Sequence, residues 1–223
     1  MSHPAQLSDP RRSFLGRLMG GAAALAALPL TAHRAEAFPA AAAAEPWLSG
    51  LAKARHKQVF DGPDLNGGFP MMFSGAYLMT MNATYKLKPG EARVVLVLRH
   101  GGAIMALNDA MWSKYALGAA NNVTDAETKA PATRNPFANS KAGDVLNPDW
   151  SLDKLPALGV TPVVCNIALN VLSGRMGAAI GMKPEDAYAD WKANLIPGVQ
   201  IAPSGVLAVG RAQEAGCTYC FAG

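Results

Sequence analysis

Val94-Val95-Leu96-Val97-Leu98-Arg99-His100-Gly101-Gly102 is an unbroken apolar run that stops in a cation, an imidazole and two glycines. A strand with one wet face would alternate polar and apolar residues; this run suits a strand covered on both faces. The glycines turn the chain, and Ile104, Leu107, Met111 and Tyr115 then recur at helical spacing up to Gly118. One strand–glycine turn–helix unit is therefore legible, and the rest of the chain repeats its logic.

Upstream, His56 to Phe60 suits a first strand that ends at Asp61-Gly62-Pro63. Pro70 stands where a helix begins. Met72, Ala76 and Met79, with Phe73, Tyr77 and Met81, give it an i, i+4 pattern that is apolar on most of its surface. Downstream, Val160 to Val164 is a second buried-type strand, followed by Cys165-Asn166 and a helix carrying Ile167, Val171 and Leu172. Pro184-Glu185-Asp186 opens another helix with acids at its positive end, and Ala187, Trp191 and Leu195 form its stripe. Val199 to Ala202 is a strand, Ser204 caps a helix that Gly216 stops, and Cys217 to Phe221 is the last strand. The strict alternation of strand and helix predicts an α/β fold: a parallel five-stranded sheet with helices on both faces. Residues 118–158 lack periodicity and are rich in Asn, Pro, Asp and Lys, as in a lid, a binding loop or a disordered insert.

The first 37 residues have a different character. Arg11-Arg12-Ser13-Phe14-Leu15, an apolar region from Leu18 to Leu30, and Ala35-Glu36-Ala37 have the order of a twin-arginine export signal with a small-residue cleavage site. The apolar region falls short of the roughly 20 residues of a membrane span, so no stable span is expected after cleavage. Residues 1–37 are read as signal, 38–55 as a flexible leader and 56–223 as the folded domain. The expected location is the periplasm, reached through the twin-arginine machinery. This route carries folded proteins, which favours an oligomer or a group loaded before export.

The chain carries a net charge of +4, and about +2 remains once the signal is removed. No dense Lys/Arg run with interleaved aromatics is present, which argues against a nucleic-acid partner.

Several segments resemble the DsrE/DsrF-like family: the strand end at His100-Gly101, the stretch Val163-Val164-Cys165-Asn166, and above all the tail. There Val199-Gln200-Ile201-Ala202-Pro203-Ser204-Gly205-Val206 is followed by Arg211-Ala212-Gln213-Glu214-Ala215-Gly216 and Tyr219. The resemblance spans Val94 to Tyr219 without the insert. It implies a small flavodoxin-like domain that assembles into homo-oligomers; some members relay sulfur as a cysteine persulfide. The insert and the export signal depart from that pattern.

Cys165 ends a strand and begins a helix, where the helix dipole and free N–H groups favour thiolate over thiol. It is read either as a reactive acceptor for a sulfur species or as a small buried core residue. A 2-1-3-4-5 strand order would put Asp61 and Cys165 on either side of the crevice where ligands bind, with His100 one strand away. Arg99, His100, Gly101 and Asn166 complete a possible site for a small anion; His100 is otherwise a turn residue. Cys217 and Cys220 spell C-x-x-C, but in a strand they point to opposite faces, about 10 Å apart, too far for a disulfide. They pair as redox partners only if the tail turns. Met71, Met72, Met79 and Met81 with His100 could hold Cu(I), or simply form core or subunit interface. No cofactor motif stands out. The functional classes left open are a sulfur-binding or relay protein, a non-catalytic interaction subunit, and a metal-binding module.

Overall fold

The computed structural model describes residues 45–223; residues 1–37, read above as an export signal, and the first part of the expected leader lie outside them. Five strands form one all-parallel sheet: β1 (His56–Gly62), β2 (Ala92–Leu98), β3 (Val160–Cys165), β4 (Gln200–Ala202) and β5 (Thr218–Phe221). The helices are α1 (Phe69–Tyr85), α2 (Asp109–Lys114), α3 (Leu117–Ala120), α4 (Leu155–Leu158), α5 (Asn166–Ala179), α6 (Pro184–Ala193) and α7 (Gly205–Glu214). This is an α/β flavodoxin-like architecture.

The strand order is β4-β3-β2-β1-β5, not 2-1-3-4-5. The first three crossovers step the same way along the sheet, and right-handed connections then put their helices on one face. The last crossover steps back past β1, which puts α7 on the other face. The core divides accordingly. Phe60, Val94, Leu96, Leu98 and Val164 pack under α1, α5 and α6, while Val59, Val95, Val97 and Val163 pack under Ala208 and Ala212 of α7. Alternate residues of the same strands thus fill opposite layers, the period of two that a strand imposes. Both layers are apolar, so the sequence shows no alternation.

Three expectations need correction. The leader is not free chain throughout: a 3-10 turn at Pro46–Leu51 buries Trp47 and Leu51 in the α7 layer, and Glu45 pairs with Arg211 at 2.7 Å. Trp47 offers too much apolar surface to stay in water. The helix predicted from Ile104 to Gly118 breaks into a 3-10 turn (His100–Ala106), α2 and α3. Asn108 stops it by accepting the Met111 N–H as a new cap, while Leu107 bridges to Leu195. The predicted α1 forms, with Met71, Ser74, Gly75 and Leu78 buried, but its methionines do not cluster on one face: Met79 is 53% exposed. With apolar residues on nearly every face, periodicity could not fix the phase. Met71 in the core and Met79 in solvent cannot share a copper ion.

The insert is ordered and packed. Phe137 packs at a tilt against Trp112 (ring centroids 5.8 Å apart), Asn135 donates to the carbonyls of Met105 and Leu107, and Trp150 lies over Gly75. Arg134 ties two of its turns together, donating to Asp125 (3.0 Å) and to both oxygens of Asp144 (2.8 and 2.6 Å). Burial pushes the Asp144 carboxyl up, but hydrogen bonds from Arg134 and the Lys141 N–H outweigh it and leave the group below its ordinary value. A carboxylate held low stabilises above its unfolded pKa and loses that contribution as pH falls through the folded one. Amide exchange, corrected for intrinsic rates, should show residues 118–158 losing protection below about pH 4 before the sheet does. Asp144→Asn should remove most of that pH dependence; loss of protection in both regions together would contradict it.

Candidate functional site

Ligands of open α/β sheets bind beyond the carboxyl ends of adjacent strands whose helices leave to opposite faces. In the observed order that point lies between β3 and β4. β3 feeds α5 on one face, and β4 feeds α7 on the other. A cleft of about 590 Å³ opens there, lined among others by Arg99, His100, Cys165, Ser204 and Gly205.

Its floor is built from the ends of three strands. Cys165 is the N-cap of α5, and its Sγ accepts the Ala168 N–H at 3.3 Å. Ser204 caps α7 in the same way, accepting the Leu207 N–H at 3.0 Å. Two helix N-termini therefore converge on the cleft, each with positive potential. Gly205 makes the convergence possible: a Cβ there would sit 2.5 Å from the Arg99 Cβ and 3.2 Å from the Cys165 Cβ.

Arg99 supplies the charge and is itself held firmly. Its Nε and Nη2 donate to the two oxygens of Asp61 at 2.6 and 2.8 Å, and the Tyr219 hydroxyl donates to Asp61 at 3.0 Å. The Asp61 hydrogen bond raises the guanidinium pKa further, against a smaller opposing effect of burial. Arg99 Nη1 lies 2.7 Å from His100 Nδ1. Arg can only donate, so Nδ1 accepts and the ring proton resides on Nε2. His100 sits at φ +44°, a left-handed turn conformation at the rim.

The sequence-predicted residues separate into three groups. Cys165, Arg99, His100 and Gly101 meet in the cleft. Asp61 does not line it: the changed strand order moves the crevice two strands away, and Asp61 stands behind Arg99 as its buried counter-ion. Asn166 is also turned aside, its Oδ1 accepting the Tyr188 hydroxyl at 2.6 Å. Cys217 and Cys220 are free and lie on opposite faces of the sheet, one in the α7 layer and the other against the α1 layer. The redox-pair reading is corrected: β5 is extended, so the tail does not turn. Burial pushes the Cys217 thiol up to about 11, so it stays protonated at neutral pH. Among the described residues no group of three His, Cys, Asp or Glu side chains could hold a metal ion. No helix there is long and apolar enough to cross a membrane.

The insert contributes no residue to the cleft, so it is not its lid. Arg175 was missed, as was the part played by Ile167 and Val171. These two fit a core stripe by periodicity, but they are 59% and 52% exposed and wall the cleft instead. The available signal was the step Ile167, Val171, Arg175, at i, i+4 and i+8: an apolar stripe that ends in a cation.

In comparisons with known proteins, the chain matches no family model, no curated protein and no solved structure.

Proposed function

We propose that this protein takes up a small sulfur species in the β3–β4 cleft and holds it on Cys165, acting in the periplasm after twin-arginine export and as a homo-oligomer. The reading continues the DsrE/DsrF-like resemblance of the tail. One observation carries it: Cys165 lines the cleft with its sulfur already in the anion position of a helix N-terminus, and Arg99 lines the same cleft. A persulfide formed on this sulfur would have helix N–H donors and a guanidinium lining the same cleft.

The step is a sulfur transfer without net redox change. The Cys165 thiolate attacks the outer sulfur of a low-molecular-weight persulfide, R–S–SH. The S–S bond of the donor breaks and its electron pair leaves with R–S⁻, which takes the thiol proton. Cys165–S–SH remains, and once its terminal S–H proton passes to solvent the resulting Cys165–S–S⁻ shares the cleft with Arg99 and the two helix ends.

Intact-mass analysis of the folded protein after exposure to an alkyl persulfide tests it. One adduct of about 32 Da is expected on Cys165. It should be absent from Cys165→Ser and retained when Cys217 and Cys220 are both changed to Ser. No adduct, or one that maps to Cys220, would overturn the assignment.

A second reading has its own observation. Tyr219 and Phe221 stand exposed on β5, an edge strand of only four residues. Apolar side chains on a free edge suit an interaction subunit; co-purification of a stable foreign chain, with no sulfur adduct, would favour it.

A further inference from the structure

The cleft is shaped for more than an inorganic sulfur anion. Its cationic end is at Arg99 and Cys165, but most of its wall is apolar: Ile167, Val171 and Leu172 from α5, and Val206 from α7. Three of these are more than half exposed, Val206 at 71%. Sulfide, thiosulfate or polysulfide would leave that wall wet. At the far end stands Arg175, with no salt-bridge partner among the described residues. From Ile167 to Arg175 along α5 is about 12 Å at the helical rise per residue. The cleft therefore presents a thiol, an apolar wall and a second cation in sequence.

We propose that the substrate is an elongated organic persulfide with its sulfane sulfur at Cys165, an apolar body along Ile167, Val171 and Val206, and a carboxylate or similar anion at Arg175. This rests on the cleft being the site of sulfur uptake. The transfer is the one written above, with R the apolar, anion-ended body, and the released thiol keeps the features that bound it. Apolar burial sets affinity, and the distance between thiol and Arg175 selects length.

Sulfur-free probes separate ligand class from chemistry. Butanoate, hexanoate and octanoate, with octylamine as the charge control, are titrated calorimetrically into the folded protein. Burying each methylene should tighten binding about fourfold, so octanoate should bind roughly 200-fold more tightly than butanoate. Arg175→Gln should weaken octanoate about tenfold, and octylamine should bind more weakly than octanoate. Affinity that stays flat with chain length, or octanoate binding indifferent to Arg175→Gln, overturns the ligand class. Chain-length dependence without any adduct on Cys165 keeps the ligand class and overturns the transfer reaction, so the two failures are distinguishable.

Discussion

Asp61→Ala is expected to cost about 3–5 kcal/mol of folding stability, the range for removing one partner of a buried ion pair. The Asp61 side chain is 4% exposed and that of Arg99 19%. The bond is bidentate, and the Tyr219 hydroxyl donates to the same carboxylate. Truncation leaves a guanidinium that is 19% exposed without its counter-ion, while the hydroxyl of the exposed Tyr219 can turn to water. A small domain has about 5–15 kcal/mol in total, so the loss is a large part of it. Tyr219→Phe removes only one neutral donor and should cost about 0.5–1.5 kcal/mol. Arg99→Leu in the Asp61→Ala background should recover part of the loss, because the stranded charge is gone. Urea unfolding of the parent, Asp61→Ala, Arg99→Leu and the double variant closes the cycle, with Tyr219→Phe measured alongside. An Asp61→Ala protein within 1 kcal/mol of the parent would mean that Arg99 is solvated where it stands, and that the cleft floor is less rigid than its geometry implies.

The contrast between Asp61 and Cys165 shows where sequence reading succeeded and where it stopped. Both end strands, and both were legible as chemistry-bearing positions. Which of them faces the cleft depends on strand order. A parallel crossover of given length fits several orders, so nothing local distinguishes 4-3-2-1-5 from 2-1-3-4-5. The difference moved the crevice from beside β1 to between β3 and β4, and it turned Asp61 from a lining residue into a support. Strands β2 and β3 were readable because a strand covered twice leaves no polar position. Helix α1 was legible as a helix, but its buried face was not: Met, Phe and Tyr surround it, and periodicity cannot choose among apolar faces. The break at Asn108 was available in Asn108-Asp109, a cap followed by a first-turn acid, and was hidden by the apolar spacing that spans it. The Arg134–Asp125–Asp144 cluster was not available, since its members become neighbours only once the insert folds back on itself.

The glycines after β2 give the other large effect. Gly102→Ala is expected to cost about 3 kcal/mol, near the top of the range for overpacking. A Cβ at Gly102 would lie 2.3 Å from the Gly62 carbonyl oxygen and 3.3 Å from that of Asp64. Both atoms are backbone, and both belong to the turn that leaves β1, so no side chain can rotate away. The Gly102 N–H also donates to the Pro63 carbonyl at 3.0 Å and the Arg99 N–H to that of Gly62 at 3.0 Å. The two strand ends must therefore separate, and Arg99 to Gly101, part of the cleft lining, move with them. Gly101→Ala should be milder, since its nearest obstacle is the Asp64 carboxylate oxygen at 2.8 Å, the end of a side chain that can turn. Gly174→Ala should have the opposite sign. It lies inside α5, its nearest neighbour is the Pro184 Cβ at 3.6 Å, and relief of helical glycine should stabilise by about 0.5–1 kcal/mol. Denaturant midpoints of the three variants, with the rate of Cys165 alkylation measured alongside, separate the causes. Close backbone approach predicts a large loss and an altered Cys165 rate for Gly102→Ala, and a gain with an unchanged rate for Gly174→Ala. Equal effects at the two positions would show that the β1 and β2 ends can part freely, and that the cleft floor is not fixed by their contact.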